Sequence, residues 1–535
     1  MVVAANPLAV KVGYEILKDG GDAVDAAIAI QMVLTLVEPQ SSGIGGGAFL
    51  LYWDNQAKKL HSYDGREAAP AAAKAERFLL PGGNPRKFYQ AVVGGLSVGV
   101  PGVLKMLDLA HQNHGKKSWS ELFLPAIELA KKGFIVSPRL RWLLERDRYL
   151  KNSPTGKDFF YEPDGTPRKY IINLPLAQTF SKIARYGIKH FYDGELAARI
   201  VATVKGAEPA GDLSILDMQK YQAKSREPLC RPYKKRKVCS MPPPTSGGIA
   251  ALQILTILEG FDLGNSAAES AEAIHLFTQA QRLAFADRNH YVADSDFVSV
   301  PVDAMLNKEY LQNRSRAIKL HRDMGKAKPG DLLEKRVESL DFSLPSTTHF
   351  SIVDRWGNGV SMTSSVENSF GSRLMVGGFL LNNQLTDFSF SPYKDGELVA
   401  NRVEPGKRPR SSMTPMMVFD SDGNLQILAG SPGGSRIIGY VARVVWRLME
   451  WGLDPQKAVA AANFGNRNGV TELEAGRELQ NLKLALESIG HKVKLKTMNS
   501  GLSVITINND GLLGGADPRR EGAVMGGNLA IKGKQ

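Results

Sequence analysis

Residues Ala23 to Val37, AVDAAIAIQMVLTLV, are apolar around nearly the whole circumference of a helix. Such a helix offers no face to water, so it needs neighbours on every side and a large core to hold it. Asp25, Gln31 and Thr35 interrupt the run, and no stretch of ~18 uninterrupted apolar residues occurs, so a membrane span is excluded. Asp22 reads as its N-cap. Before it, Asn6-Pro7 starts a helix with Leu8, Val12, Ile16 and Leu17 at helical spacing, and Gly20-Gly21 ends it. At 535 residues the chain has room for about three domains of ~150 residues, or for one large interleaved unit.

After Glu38-Pro39 comes SSGIGGG (41–47) and a strand, Ala48–Trp53. The middle third, roughly Ser118 to Leu340, reads mostly helical, with a hairpin near 229–240. MPPPTSGG (241–248) is a rigid turn entering a helix, Ile249–Leu258. From about residue 345 the texture becomes strand-like: Thr348–Val353, a turn at 354–358, Gly359–Ser365, then Leu374–Asn382, Met416–Phe419 and Leu425–Ala429. A helix follows at Ile437–Trp451, then a strand at Leu502–Asn508 and a Gly-rich tail. Helices outside and strands inside suggest a layered α/β sandwich.

The formal charge is +13, from 67 Lys and Arg against 54 Asp and Glu. The excess is spread along the chain, which weakens a nucleic-acid reading, since that wants a clustered patch. The one dense cluster, Lys234-Lys235-Arg236-Lys237, reads as a solvated hairpin tip, with a polyanion contact as the alternative. Two cysteines exclude a disulfide scaffold and a Cys-based metal site. Cys230 and Cys239 face each other if the turn centres on Lys234-Lys235. Opposed strand positions fit disulfide geometry badly, so free thiols or a fortuitous pair are favoured. No leader with a charged n-region and an apolar h-region is visible.

If the hairpin begun at Thr347 pivots on Trp356, Thr347 lies opposite Ser365. Side chains alternate along strands, so Thr363, Ser365 and Glu367 share the face of Thr347. The bland alternative is an edge strand with a wet face. AGSPGGS (429–435) is a strand feeding a Gly-rich turn and a helix, where outward N–H groups bind developing negative charge. The alternative is an ordinary strand-to-helix turn; neither the phosphate loop nor the dinucleotide fingerprint fits. KRPRSSMTP (407–415) offers adjacent hydroxyls for a carboxylate, and DGREAAP (64–70) offers a guanidinium for bidentate pairing.

Taken together these motifs resemble the γ-glutamyltransferases, or glutathione hydrolases. The likeness rests on GGDAVDAA (20–27), DGRE (64–67), MPPPTSGG (241–248), TTHFS (347–351), NNQLTDF (382–388), RPRSSM (408–413) and GSPGGS (430–435), in the family's order along nearly the whole chain. The resemblance implies an α+β fold, a four-layer αββα sandwich of the N-terminal-nucleophile hydrolase type. It implies a self-inflicted cut between Ser346 and Thr347, giving residues 1–346 and 347–535 as two subunits of one interleaved heterodimer. Thr347 would be the nucleophile, its freed α-amine, with a reference pKa of about 7.7–8.0, the base. By position, Ser365 bonds the nucleophile, and Gly433 and Gly434 supply oxyanion N–H groups. Arg66, Ser411 and Ser412 would hold the substrate α-carboxylate; Gln384, Asp387 and Glu367 its α-ammonium. Thr348 and Thr363 would support the nucleophile locally.

No metal and no cofactor is implied. The partners implied are small γ-glutamyl compounds such as glutathione, with no nucleic acid, and the location periplasmic or secreted. One departure is the interval Phe390–Gly406, which contains Tyr393 but lacks the Pro- and Gly-rich lid of some relatives, implying a more open site. An amidase of the glutaryl- or cephalosporin-acylase kind is the alternative; Glu367, Gln384 and Asp387 favour γ-glutamyl groups.

Overall fold

The computed structural model describes residues 1–263, 266–332, 346–509 and 511–526. The end of the expected helical third, Pro345 and most of the Gly-rich tail lie outside these. Two antiparallel sheets form the middle layers. The first runs, edge to edge, Ala523–Met525, Val2–Ala4, Thr348–Val353, Gly359–Ser365, Gly47–Asp54, Lys59–Gly65 and Lys224–Arg226. The second runs Gly511–Ala516, Ser503–Asn508, Leu425–Gly430, Met416–Phe419, Arg236–Ser240 and Leu229–Tyr233.

Strand alternation builds the layers. Val2, Ala4, Leu50, Tyr52, Phe350 and Ile352 pack against the helices Pro7–Lys18 and Ala23–Val37. Val3, Phe49, Leu51, Trp53 and Val353 join the other core, shared with the second sheet and the helices Gly247–Leu258, Ala271–Tyr291 and Ile437–Glu450. The result is the four-layer αββα arrangement. Every residue of Ala23–Val37 is buried, and Asp22 and Asp25 form a reciprocal capping box at its start.

The Thr347 hairpin is central, not an edge. Asp354 closes its turn by accepting the N–H groups of Trp356 and Asn358 at 2.8 and 3.0 Å. Pairing runs from Val353–Gly359 to Thr348–Ser364, so the pivot is Trp356. The hydroxyls on its inner face bond the facing sheet: Ser351 Oγ donates to the Ser503 carbonyl and Ser361 Oγ to that of Ala429, each at 3.2 Å. A polar row is thus tolerated in the core because its groups find partners.

Two expectations change. Cys230 and Cys239 are bonded, not free: their antiparallel pairing brings the Cα atoms to 4.1 Å, at the close end for paired strands, within reach of each other's sulfur. Leu374–Asn382 is not one strand but two short ones, Met375–Val376 and Phe379–Leu380, folded back at Gly377-Gly378. The lid interval holds a small hairpin, Tyr393–Lys394 with Glu397–Leu398. The 234–237 tip forms as expected, with Lys234 Nζ on Glu450 at 2.5 Å and Lys237 over the Phe419 ring. Among the described residues no helix is long and apolar enough to cross a membrane.

Candidate active site

The hairpin register carries Thr347 and Ser365 to the same end of the inner face. Thr347 Oγ1 and Ser365 Oγ lie 3.3 Å apart, and Thr347 is 4% exposed. Ser365 Oγ also donates to the carbonyl oxygen of Ser346 at 3.0 Å and accepts the N–H of Glu367 at 2.9 Å. Ser346 is pinned in turn, its hydroxyl donating to the Gln40 carbonyl. The strand beside Ser365 begins after a run of glycines for a steric reason: a Cβ on Gly46 would stand 2.1 Å from the Ser365 carbonyl oxygen. The expected supports differ. Thr363 Oγ1 pairs with His349 Nδ1 at 2.8 Å, not with Thr347. Thr348 pairs opposite Ser364, one residue out of phase with the face of Thr347.

Arg66 follows the first-sheet strand Lys59–Gly65 and is 1% exposed. Its Nε donates to the Pro409 carbonyl and its Nη2 to the Arg410 carbonyl, both at 3.1 Å, and Nη2 meets Asp387 Oδ2 at 2.5 Å. Glu67 lies 3.8 Å from Nη1 and burial raises its carboxyl to about 8, while Asp387 is the nearer carboxyl. Gln384 and Asp387 share a short 3₁₀ turn, and Gln384 Nε2 donates to Asp387 Oδ2 at 2.7 Å.

Glu367 lies past the strand end with φ +77, so it reaches the site through a turn and not through strand alternation. Burial first, and Asp387 beside it second, push its carboxyl well above the usual range. Asn383 Nδ2 donates to its Oε2, while Glu367 Oε1 and Gln384 Oε1 have no protein partner among the described residues.

Ser411 Oγ accepts the Met413 N–H at 3.1 Å and Ser412 Oγ accepts Arg288 Nη2 at 2.7 Å. Each hydroxyl, used as an acceptor, keeps its own hydrogen to offer an anion. Gly433 and Gly434 have φ +143 and +59, and a Cβ on Gly433 would stand 2.7 Å from the Tyr440 ring. Arg66, Thr347, Ser365, Glu367, Gln384, Asp387, Ser411, Ser412 and Gly434 line one cavity of about 20 Å³, with Met413 and Ile437. Gly433 sits one residue behind its wall. Arg66 and Asp387 meet across this cavity at 2.5 Å.

Sequence reasoning missed Arg288, Asn383 and Arg520. Arg288, on Ala271–Tyr291, bridges Ser246 Oγ at 2.8 Å and Ser412 Oγ, and its only sequence signal is a cation in a helix buried along most of its length. Among the described residues no group of three or more His, Cys, Asp or Glu is placed to hold a metal.

Residues 9–527 match the family model described as Gamma-glutamyltranspeptidase. The glutathione hydrolase proenzyme of Bacillus subtilis strain 168 is 36% identical, over 99% of this chain and 92% of that protein. That of Escherichia coli K12 is 37% identical, over 97% and 90%. In structure, the cephalosporin acylase of Bacillus halodurans superposes with a TM-score of 0.84 at 28% identity, covering 98% of this chain and 95% of that one. Given that match along almost its full length, on an αββα frame with a Thr–Ser pair at the mouth of its central hairpin, the chain belongs to the gamma-glutamyltranspeptidase family.

Proposed function

We propose that the chain is a precursor that cuts itself between Ser346 and Thr347, and that the resulting heterodimer of residues 1–346 and 347–535 cleaves γ-glutamyl amides such as glutathione. In the first event Thr347 Oγ1 attacks the Ser346 carbonyl carbon, with Ser365 hydrogen-bonded to the carbonyl oxygen. The acyl group moves from nitrogen to oxygen, and water hydrolyses the ester, freeing the Thr347 α-amine. In turnover that amine takes the Thr347 hydroxyl proton as the oxygen attacks the γ-carbonyl, and returns it to the departing amine. The N–H groups of Gly433 and Gly434 face the oxyanion. Water, or an amino acid or peptide amine, then takes the γ-glutamyl group from the ester.

The observation that carries the substrate reading is the contact between Arg66 and Asp387. An α-amino acid bears its ammonium and carboxylate on one carbon, so a site for it needs an anion and a cation side by side. Glu367 Oε1 and Gln384 Oε1 add acceptors for the ammonium, and Ser411 and Ser412 add donors for the carboxylate. A glutaryl group, which lacks the ammonium, would leave these acceptors buried and unpaired at ~1–3 kcal/mol each. The family resemblance supports export to the periplasm or the medium. The test is kcat/KM for matched γ-glutamyl and glutaryl p-nitroanilides. A γ-glutamyl preference of roughly tenfold to several hundredfold is expected; equal values or a glutaryl preference would overturn it in favour of an acylase.

A further inference from the structure

Arg520 does not line the cavity, yet it holds the nucleophile. It is buried, and its Nη1 donates to the carbonyl oxygen of Thr347 at 2.9 Å. Its Nε and Nη2 both donate to the Asn499 carbonyl, at 3.3 and 3.2 Å. Standard backbone dimensions then put the guanidinium within roughly 6 Å of the Thr347 nitrogen. Two cations' worth of charge, Arg520 and Arg139, face the carboxyls of Glu38 and Asp517 and the Tyr440 hydroxyl. Glu38, at the end of Ala23–Val37, is raised above the ordinary carboxylate range, chiefly by burial. Asp517 is engaged by Ser500 and Arg519. Arg139 is a second cation, whose backbone N–H is held by Glu521, and Tyr440 is neutral, its hydroxyl raised by burial to about 12. Burial and Arg139 lower Arg520 itself to about 9, so it remains a cation through neutral pH.

We infer that Arg520 is a positioning residue that sets the basicity of the Thr347 α-amine, its fixed guanidinium disfavouring the ammonium form so that the amine freed by cleavage is a neutral base. A like charge at this distance lowers an amine's pKa, and a base must be unprotonated to act. The same hydrogen bond fixes the Thr347 backbone from the carbonyl side, while Ser365 fixes its side chain. The inference rests on the cleavage proposed above, since the amine exists only afterwards.

Two measurements test it. In the wild-type enzyme, the rate at which acetic anhydride acylates the Thr347 amine, read by mass spectrometry across pH, should titrate below the ordinary 7.7–8.0. Arg520→Gln keeps an N–H donor for the Thr347 carbonyl but removes the charge. It should move the acid limb of the kcat/KM profile up on the order of one pH unit, whereas Arg520→Lys stays near wild type. A wild-type amine titrating in or above its ordinary range, or Arg520→Gln with the wild-type acid limb and only a lower kcat, would overturn the inference. Should Arg520→Gln fail to fold or cut, the wild-type titration decides alone. A wild-type chain that stays uncut strikes down the cleavage reading and this one with it; a cut chain with an ordinary amine strikes down this one alone.

Discussion

Ser365 Oγ stands 3.0 Å from the carbonyl oxygen of Ser346 and 3.3 Å from Thr347 Oγ1. One hydroxyl therefore touches both the hydroxyl and the carbonyl that the proposed cleavage would join. Its third contact, the Glu367 N–H, fixes it as acceptor there and leaves its hydrogen for the carbonyl.

Self-cleavage should consequently depend on both side chains. Thr347→Ala should stay a single chain of 58.3 kDa, while the wild type yields pieces of about 38 and about 21 kDa in proportion to their lengths. Ser365→Ala should slow the cut by roughly 10²–10³, the scale for losing one donor to a developing oxyanion. Ser365→Thr should retain it. Time-resolved denaturing gels with intact mass spectrometry read all three; rapid cutting of Ser365→Ala would remove Ser365 from the step.

Arg66 makes three contacts with two backbone carbonyls and one carboxylate from a buried position. Lys cannot reproduce that fork. Arg66→Lys should raise KM for γ-glutamyl-p-nitroanilide about tenfold or more with subunit formation intact. An unchanged KM would mean that Arg66 is not the carboxylate clamp.

Arg288 orients Ser412 from a helix that never reaches the cavity wall. Arg288→Met should raise KM while leaving the acid limb of the kcat/KM profile in place, because the Thr347 amine is untouched. Equal loss of kcat and kcat/KM with constant KM would speak against this role.

What was legible in the sequence was what local periodicity encodes. An antiparallel hairpin pairs residues at a constant sum of numbers, so one pivot at Trp356 fixed Thr347 against Ser365. The all-round apolar run 23–37 announced a helix buried in a large core. Glu367 lines the cavity by a route that strand alternation does not describe, because the strand stops at Ser365 and a positive φ delivers the carboxyl. Arg288 and Arg520 were not legible: they meet Ser412 and Thr347 across 124 and 173 residues of sequence, and no short-range pattern marks such pairings. The bond between Cys230 and Cys239 was misjudged because strand opposition was weighed without the narrow spacing of this hairpin.

His349 makes stability depend on pH. It is fully buried between the sheets, paired with Thr363 and Ser351, and burial lowers its pKa from 6.5 to about 3. The unfolded chain therefore binds a proton below about 6.5 that the folded chain refuses until about 3. Its contribution is fully present above 6.5 and is lost progressively as pH falls through that window. His349→Gln, which keeps polar partners for Thr363 and Ser351, should be less stable at pH 7 but lose less between pH 6.5 and 4. Urea midpoints across that range read the difference; parallel curves would show that His349 does not titrate on unfolding.

The proposed ammonium site pairs Glu367 with Asp387, and in the substrate-free chain burial first and Asp387 second raise the Glu367 carboxyl well above the usual carboxylate range. An incoming ammonium reverses that balance, because it favours the ionised carboxylate. Binding of a γ-glutamyl donor should thus release a proton, and KM for it should fall as pH rises toward the ionisation of Glu367. A glutaryl donor has no charge to offer, so its KM should lack this dependence. Asp387→Asn removes the partner of Arg66 and one pole of the ammonium site. It should lower kcat/KM for γ-glutamyl-p-nitroanilide by roughly 10²-fold, about 3 kcal/mol at 1.4 kcal/mol per tenfold, and that for the glutaryl analogue by less. Glu367→Gln should flatten the pH dependence of KM while leaving self-cleavage complete, since only its backbone N–H touches Ser365. Paired KM–pH profiles for the two donors decide the matter: parallel profiles, or a glutaryl rate that falls with the γ-glutamyl rate in Asp387→Asn, would mean that these carboxyls do not read the α-ammonium.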